Sequence, residues 1–371
     1  MKARPYQVPA IKFLAGTKRG ICQAPAGAGK TFIASAAVDD CLKRAKCRKR
    51  IAVLCNTIEQ CEQWEAAFKV FNIQGRADVE IGCGAGNLDP SEADLLIVDE
   101  AHHSSAPSWS SKIRKAKKAR WALSATPFND DEHKAQLERL FTDRFYRVER
   151  HQLVEDGHLA RARVKYLDAQ CEGIAAKIEL DAIDLFAERS KKLPPWIRDN
   201  AEKMKEQLHR CRWQAAQQIG IWDNEARDYL IVSEAQKLIR GGHHLIILVG
   251  KIEHGERLQK ALPESVLCYS QMGKKKRAEA LAGFKSGAIP CVIATSMLEE
   301  GADIPIADCL IIASAGKSFR KVVQTTGRVL RSFDGKDSGL IVDFRDSFFP
   351  MLKRQSDKRR AIYRELKYSF D

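Results

Sequence analysis

The segment from Ala24 to Thr31 reads Ala-Pro-Ala-Gly-Ala-Gly-Lys-Thr and connects an apolar run to a segment typical of a helix. In a glycine-rich loop of this kind, backbone N–H groups at the start of the helix bind phosphate oxygens. The ammonium of Lys30 neutralises the outer phosphates, and the hydroxyl of Thr31 is a ligand for Mg²⁺. We therefore predict that a nucleoside triphosphate binds at Ala26, Gly27, Ala28, Gly29, Lys30 and Thr31.

Two adjacent carboxylates, Asp99 and Glu100, follow the apolar run Leu95–Val98. A carboxylate in the position of Asp99 holds Mg²⁺, and one in the position of Glu100 orients and deprotonates the attacking water. An Asp-Glu pair alone is also typical of a solvated turn, and a phosphate loop alone can be a chance match. Because both occur in order, each at the end of an apolar run, they predict hydrolysis of ATP with Mg²⁺.

A third group of polar residues lies at 324–331 and reads Gln-Thr-Thr-Gly-Arg-Val-Leu-Arg. Arg328 and Arg331 offer two guanidinium groups to the charge that builds on a departing γ-phosphate. Gln324 adds an amide near the attacking water. The predicted catalytic residues are Glu100, Gln324, Arg328 and Arg331.

Apolar runs bounded by glycines and charged residues position these groups and alternate with segments typical of helices. The alternation occurs twice and predicts an α/β fold, with each parallel sheet covered on both faces. Strands are predicted at 20–24, 51–55, 79–83, 95–98 and 121–124, and again at 245–249, 266–268, 291–294, 310–313 and 339–342.

Eight ordered motifs resemble those of superfamily 2 helicases and translocases, and the resemblance runs nearly end to end. They lie at 4–7 (the Q motif), 24–31 (motif I), 53–57 (Ia), 99–102 (II), 124–127 (III), 246–251 (IV), 294–305 (V) and 324–331 (VI). Such an ordered set is far more specific than any one motif. Two features depart from the family pattern: the phosphate loop begins with Ala24 rather than Gly, and the short segment 75–94 carries no clear motif Ib.

The resemblance implies two RecA-like, doubly wound parallel-sheet lobes in tandem, with ATP between them. The expected boundaries are 1–150 for lobe 1, 151–170 for a linker and the first strand of lobe 2, 171–222 for a helical insertion, and 223–371 for lobe 2 with a C-terminal helix. Two interpretations of the insertion stay open. Its residues Trp196, Trp213 and Trp222 either pack as buried anchors or belong to a thumb-like arm that contacts nucleic acid.

The resemblance also implies roles for further residues. Ser124 and Thr126 are expected to couple the phosphate state to lobe movement, and Asp303 to contact the ribose. The nucleotide contacts expected outside the loop are Arg4, Gln7, Gly301 and Asp303. The residues expected to contact nucleic acid are Asn56, Thr57, Lys251, Lys274, Lys275, Lys276, Arg277 and Thr295.

The formal net charge of +14 and the pI near 9.3 suit a polyanionic partner. The basic run 274–277 follows a predicted strand and opens a helix, so we expect it at the carboxyl edge of a sheet, where ligands bind. The runs 43–50 and 112–120 precede strands. We therefore expect them on the opposite rim as solvated faces.

Gln324 stands where DEAD-box RNA helicases usually carry His, and His102-His103 resembles the branch of phage branch-migration helicases and transcription-repair translocases. We therefore predict a DExH-type DNA helicase or translocase that uses ATP and Mg²⁺ and acts on forked, branched or partly single-stranded DNA. Three alternatives stay open. They are an RNA helicase, an ATP-gated clamp or motor subunit that depends on a protein partner, and an ATPase without a nucleic-acid role.

The sequence contains no run of eighteen apolar residues, and Met1 is followed almost directly by the Q motif rather than by a signal peptide. We expect a monomer in the cytoplasm of a bacterium or of a phage-infected cell. The eleven cysteines include no Cys-x-x-Cys pair, so neither a disulfide nor a zinc site is expected.

Replacement of Arg331 by Ala should lower ATP turnover by about 10³-fold or more, the scale of an arginine finger. The affinity for ATP should change much less, because the guanidinium contacts charge that is present mainly in the transition state. Steady-state ATPase and nucleotide-binding measurements separate these effects. A variant that loses affinity and keeps its rate contradicts the role assigned to Arg331.

Overall fold

The computed structural model describes residues 2–84, 86–126, 131–142, 144–169, 171–295, 306–314, 323, 326–327 and 338–371, with only the backbone at 131–133 and 274. The predicted site residues outside this part of the chain are Gly301, Asp303, Gln324, Arg328 and Arg331. Their roles stay predictions.

The chain forms two compact units. The first comprises the residues up to Ala160, together with Val323, Thr326 and Gly327 from the C-terminal half. The second begins at Arg161 and includes both the insertion and the C-terminal helix. Each unit is built on a parallel sheet, so the predicted α/β class with two parallel-sheet domains is confirmed.

The first sheet has six strands in the order β3-β2-β4-β5-β1-β6, and all of them are parallel. The strands are β1 (Arg19–Gln23), β2 (Lys49–Cys55), β3 (Ala77–Cys83), β4 (Leu95–Val98), β5 (Ala119–Ser124) and β6 (Phe145–Arg147). The sequence predicted the first five. It did not reveal β6, because three residues with exposed ends carry no apolar run.

Alternate residues of β2 face opposite sides of the first sheet. Ile51, Val53 and Cys55 pack with α1 (Gln7–Ala15), α2 (Lys30–Arg44) and α3 (Ile58–Val70). Ala52 and Leu54 pack with the other layer, which contains α4 (Pro107–Lys115) and α5 (Asp131–Leu140). The short helix α6 (Arg150–Glu155) adds Leu153 to the first layer. A strand buried on both faces needs apolar residues throughout, which explains its continuous apolar run.

The second sheet has seven parallel strands in the order β13-β7-β12-β11-β8-β10-β9. They are β7 (Arg161–Asp168), β8 (Leu245–Leu248), β9 (Ser265–Cys268), β10 (Cys291–Ala294), β11 (Cys309–Ile312), β12 (Ser338–Arg345) and β13 (Ser369–Phe370). The insertion helices are α7 (Ile174–Ser190), α8 (Pro195–Arg198) and α9 (Ala201–Gln217). The remaining described helices of this unit are α10 (Glu225–Arg240), α11 (Ile252–Ala261), α12 (Lys274–Lys285) and α13 (Pro350–Glu365).

A buried ionic cluster joins the C-terminal helix to the second sheet. Asp343 of β12 is fully buried and accepts hydrogen bonds from Arg359 at 2.8 Å and from Tyr363 at 2.9 Å. Burial opposes the charge of Arg359, but the Asp343 carboxylate outweighs it and raises the pKa of the guanidinium. Because each charge is paired, α13 is held in one register on the sheet.

The insertion packs on α13 through an apolar cluster of its own. Ile178 of α7 and Ile221 are buried against Phe349 and Leu352 at the start of α13. Trp213 and Trp222 pack at the edge of this cluster, whereas Trp196 is 63% exposed and carries Lys203 Nζ 4.1 Å from its ring centroid. The buried-anchor interpretation thus describes two of the three tryptophans.

None of the described helices combines the length and the apolarity that crossing a bilayer requires.

Deletion of 171–222, with a short Gly/Ser linker in its place, should lower the melting temperature, because it exposes Phe349 and Leu352. The ends can be joined, since Cys171 Sγ lies 3.4 Å from Asn224 Oδ1. Removing the packing of a large buried apolar side chain costs about 2–5 kcal/mol. The control Trp196→Ala should change stability by no more than about 0.5 kcal/mol. An unchanged melting temperature of the deletion variant in calorimetry would mean that the cluster does not stabilise α13.

Candidate nucleotide site

The phosphate loop lies between the end of β1 and the start of α2, at the carboxyl edge of the first sheet. Gly27 has φ 86° and Gly29 has φ 77°, a left-handed conformation that other residues rarely adopt. Gly29 caps α2 from this conformation, so Lys30 and Thr31 open the helix. The loop therefore presents the N-terminal N–H groups of α2, as anion binding requires.

Gln7 holds the phosphate loop from α1. Its Nε2 donates to Ala28 O at 3.1 Å, and its Oε1 accepts from the backbone N of Arg4 at 3.0 Å. Tyr6 Oη donates to the same Ala28 carbonyl at 3.1 Å. A Cβ on Gly29 would lie 2.8 Å from Gln7 Nε2, so a side chain there would displace the Gln7 amide from the loop. The structure thus assigns Gln7 a loop-positioning contact, and adenine recognition by Arg4 and Gln7 stays a prediction.

Asp99 lies at the end of β4 and is 6% exposed. Its Oδ2 accepts from Trp64 Nε1 at 3.0 Å, and its Oδ1 accepts from the backbone N of Glu100 at 2.9 Å. Burial, followed by the neighbouring charge of Glu100, raises the pKa of Asp99. Sequence reasoning missed Trp64, because a hydrogen bond across 35 residues follows from the packing of α3 on the sheet.

Glu100 has the left-handed φ of 46° and directs its side chain towards Lys30. Lys30 Nζ lies 3.8 Å from Glu100 Oε1, and both side chains are largely buried. Burial alone would raise the pKa of Glu100, but the Lys30 charge and the nearby His102 lower it to about 2. The carboxylate is therefore ionised at neutral pH.

His102 connects the acidic pair to the end of β5. Its Nδ1 lies 3.3 Å from Glu100 Oε2 and 3.2 Å from Ser124 Oγ. Ser124 Oγ in turn accepts from the backbone N of Thr126 at 3.1 Å. Ser124 O also accepts from Ala24 N at 3.1 Å, so the same residue binds the start of the phosphate loop. Of the two predicted coupling residues, Ser124 thus contacts the start of the loop directly and the acidic pair through His102, and Thr126 is bound to Ser124.

The oxygen ligands of this site fit a magnesium ion. Asp99 is a carboxylate buried beside a second one, and because burial and the charge of Glu100 raise its pKa, a cation beside it would stabilise its charged form. Thr31 supplies a half-buried hydroxyl in the first turn of α2. Mg²⁺ takes one or two such protein oxygens and completes its octahedron with phosphate and water. Asp99 and Thr31 are the residues that would hold it.

Two predicted nucleic-acid contacts follow β2 at the carboxyl edge of the first sheet. Thr57 caps α3 in a capping box: its side chain accepts from Gln60 N, and Gln60 Oε1 accepts from Thr57 N. The backbone N of Asn56 also donates to Gln60 Oε1 at 2.9 Å. These contacts fix the backbone of the turn that carries Asn56 and Thr57.

The predicted contacts of the second unit share the carboxyl edge of its sheet. Lys251 follows β8, Thr295 follows β10, and α12 begins at Lys274 after β9; these three strands are neighbours. Lys275 and Lys276 are exposed. Lys251 is already engaged, because its Nζ donates to Gln218 Oε1 at 2.6 Å and lies 4.3 Å from the Trp222 ring centroid.

One basic residue departs from its predicted position on the opposite rim. Lys112 Nζ donates to the carbonyl oxygens of Gly84 at 2.7 Å and Gly86 at 2.5 Å, directly after β3. The reason is that α4 runs back along the sheet, so residues early in the run 112–120 are still near the carboxyl edge. From Arg114 onwards the run lies towards the amino edge, where Ala119 starts β5.

Two described residues of the segment 324–331 lie within the first unit. Thr326 is fully buried, and a Cβ on Gly327 would lie 2.8 Å from Ala26 Cβ. Glycine at 327 thus allows close approach to the phosphate loop.

Two family models match the chain. Type III restriction enzyme, res subunit, matches residues 1–87 and 83–129, and Helicase conserved C-terminal domain matches residues 228–333. A protein named as a helicase from a Sulfolobus islandicus filamentous virus is 22% identical over 98% of this chain and 67% of its own length. DNA 3'-5' translocase XPB2 of Sulfurisphaera tokodaii is 26% identical over 90% of this chain and 80% of its own.

The solved structures agree on the fold. The Hef helicase domain of Pyrococcus furiosus aligns with a TM-score of 0.58 at 14% identity, covering 96% of this chain and 98% of that one. A glycine-rich loop after one strand and an Asp-Glu pair after another, on one edge of a parallel sheet, define a P-loop nucleotide-binding domain. Together, the two family models and the relatives that match over nine tenths or more of this chain show that it belongs to superfamily 2 of the helicases and translocases.

Replacement of Glu100 by Gln should retain ATP binding and lower turnover by about 10²–10⁴-fold, since the amide keeps the shape of the side chain but cannot accept the proton. Lys30→Ala should weaken ATP binding as well, because it removes the charge that meets the outer phosphates. Titration with a fluorescent nucleotide and a phosphate-release assay measure the two quantities. The separate roles are wrong if both variants lose affinity equally.

Proposed function

We propose that this protein is an ATP-dependent motor that hydrolyses ATP with Mg²⁺ and couples hydrolysis to movement along DNA or to its remodelling. The proposal is carried by the contacts that run from Lys30 through Glu100 and His102 to Ser124. They join the phosphate loop, the acidic pair and the end of β5 within one unit. A change at the phosphates can therefore alter contacts at the end of a different strand.

Each described residue of the nucleotide site has its own proposed role in hydrolysis. The N–H groups of α2 and Lys30 bind the phosphates, Thr31 and Asp99 hold the metal, and Glu100 orients the attacking water and takes its proton. When bound, Mg²⁺ neutralises phosphate oxygens and favours attack at the γ-phosphorus.

Binding of ATP would itself make Glu100 a stronger base. Lys30 lies against Glu100 and helps to lower the pKa of the carboxylate. A γ-phosphate competes for the same ammonium, so we propose that ATP weakens the Lys30–Glu100 contact and raises the proton affinity of Glu100. A base with a pKa closer to neutrality takes a proton from water more readily.

Gln324, Arg328 and Arg331 are proposed to complete the site around the γ-phosphate, with Gly301 and Asp303 at the nucleotide. The proximity of Gly327 to Ala26 supports this proposal, since the arginines are close in sequence to a residue near the phosphate loop. Two guanidinium groups would stabilise the charge of the transition state.

DNA is the nucleic acid along which the motor is proposed to move. The carboxyl edge of the second sheet carries Lys275, Lys276 and Thr295, and helix starts with basic side chains favour backbone phosphates. The net charge of +14 adds long-range attraction. Among the relatives, XPB2 is named a DNA translocase, which favours DNA over RNA.

A second candidate function is a motor subunit that depends on a protein partner. The insertion exposes three large apolar side chains, Leu180 at 65%, Ile183 at 56% and Trp196 at 63%. Leu180 and Ile183 lie three residues apart on α7 and Trp196 lies on α8, and exposed apolar groups that lie close together favour a protein contact. In that case the ATPase would respond weakly to DNA alone.

A side-by-side ATPase assay with single-stranded DNA, duplex DNA, forked DNA and RNA tests the proposal. We expect stimulation by DNA to exceed that by RNA. Displacement of a triplex-forming strand from duplex DNA then distinguishes a motor from an ATP-gated clamp. Equal rates with and without every nucleic acid would overturn the proposed coupling.

Replacement of Lys274, Lys275 and Lys276 by Ala should flatten the salt dependence of DNA affinity, by about 0.9 in the log–log slope for each phosphate that the variant no longer binds. The matched control replaces Arg240, Lys260 and Lys285, which lie in the last turns of α10, α11 and α12. These helix ends lie at the amino edge of the same sheet, so the control slope should stay close to that of the unmodified protein. Fluorescence anisotropy at several salt concentrations measures the slopes of both variants. Identical slopes would contradict the proposed DNA contact at the carboxyl edge of the second sheet.

A further inference from the structure

A basic cavity of ≈ 760 Å³ lies at the amino edge of the first sheet, at the opposite ends of the strands from the phosphate loop. It is lined by the start of β1, the end of α4, the start of β5 and the side of α5. Its cationic lining residues are Arg19, Arg114, Lys117, Arg120 and Arg139. No acidic side chain of the described residues lines it. We call it the rim cavity.

Arg120 is the buried cation of the rim cavity, with 7% of its surface exposed. Its Nη1 donates to Ile113 O at 3.3 Å, while its Nε is buried and has no hydrogen-bond partner among the described residues. Register places Arg19 beside Arg120 on the neighbouring strand. Burial, followed by the charge of Arg19, lowers the pKa of Arg120. Two adjacent cations, one of them buried with an unused donor, favour an anionic acceptor.

Among the described residues, the other four cations of the cavity also have no carboxylate partner. No described acidic side chain forms an ion pair with Arg19, Arg114, Lys117 or Arg139. Basic residues close by in sequence behave differently: Lys118 Nζ lies 2.8 Å from Asp94, and Lys115 Nζ lies 3.5 Å from Asp89. Within the described part of the chain, the cavity residues of this basic run therefore lack the carboxylate partners that Lys115 and Lys118 have.

Helix ends account for only part of this concentration of charge. Arg114 and Arg139 lie in the last turns of α4 and α5, where a cation is stabilised by the helix dipole. Arg19 and Arg120 lie on strands, so no dipole explains them. A solvated basic face also does not explain why Arg120 is buried.

We propose that the rim cavity binds phosphate groups, supplied either by the DNA backbone or by a free polyphosphate. Guanidinium forks bind oxyanions through two parallel hydrogen bonds, and four of the five cations are arginines. The cavity is separate from the nucleotide site, since β1 separates the two by about 13 Å at about 3.3 Å per residue. The inference goes beyond the proposed motor function, because hydrolysis does not need this site.

The test compares two triple variants of the full chain. The rim variant carries Arg114→Ala, Lys117→Ala and Arg139→Ala, which are exposed positions, so the fold should be kept. The control is the Arg240, Lys260 and Lys285 variant, which removes the same number of cations from last turns in the other unit. Circular dichroism and basal ATPase verify that both are folded and active.

The DNA arm measures binding of a labelled duplex by anisotropy over a range of salt concentrations. If backbone phosphates bind the cavity, the rim variant should lose about 10-fold in affinity and about 2–3 in the log–log salt slope, and the control should lose much less of both.

The polyphosphate arm uses sodium tripolyphosphate in a Lys30→Ala background, which disables the phosphate loop. If free phosphates bind, tripolyphosphate should raise the melting temperature of this background, and the rim substitutions should abolish the rise while the control substitutions preserve it.

A selective loss in the DNA arm identifies the DNA backbone as the source, and a selective loss in the tripolyphosphate arm identifies a free polyphosphate. Either result supports the site, independently of whether DNA stimulates the ATPase. If the rim variant and the control behave alike in both arms, the rim cavity is a solvated basic surface and the inference is overturned.

Discussion

The buried contact between Lys30 and Glu100 is the constraint on which the site depends. One ammonium lies among two largely buried carboxylates, Asp99 and Glu100, so the acidic charge exceeds the basic charge. The two pKa values move apart as a result: the carboxylate that faces Lys30 becomes more acidic, and the other becomes less so. A buried anion that is only partly compensated is costly, so Asp99 favours a cation beside it. In the proposed function, a metal-bound triphosphate would supply that cation and would compete for Lys30 in the same event.

The backbone around this contact is adapted to it. Glu100 adopts φ 46° and Gly29 φ 77°, and the left-handed conformation costs free energy for a residue with a side chain such as Glu100. Glu100 retains this conformation because its N–H donates to Asp99 and its side chain meets Lys30 and His102. Ser124 then links His102 to the start of the phosphate loop through its side chain and its carbonyl group. The loop, the acidic pair and β5 are therefore coupled through direct contacts between neighbouring side chains, and not through a distant pathway.

The sequence predicted the parts of the site that follow from strand direction. The phosphate loop, the acidic pair and Ser124 each follow an apolar run, and parallel strands bring such positions to one edge of the sheet. The sequence could not predict contacts that depend on how the helices lie on the sheet. Trp64 reaches Asp99 because of the rotation of α3, Gln7 reaches Ala28 because of the packing of α1, and Lys112 reaches Gly84 because α4 crosses the sheet. The insertion shows the same limit, since Trp196 and Trp222 were predicted to behave alike but differ in burial.

Strand β5 carries two chemically different ends. Ser124, at its carboxyl end, belongs to a network with two carboxylates, whereas Arg120, near its amino end, lies among four other cations. Arg120 and Ser124 are four residues apart on β5, or about 13 Å at about 3.3 Å per residue, whereas the Debye length at physiological salt is about 8 Å. The exposed cations of the rim cavity therefore contribute little to the charge balance around Glu100. Their concentration has to be explained at the amino edge itself, and a phosphate ligand there explains the buried guanidinium as well as the exposed ones.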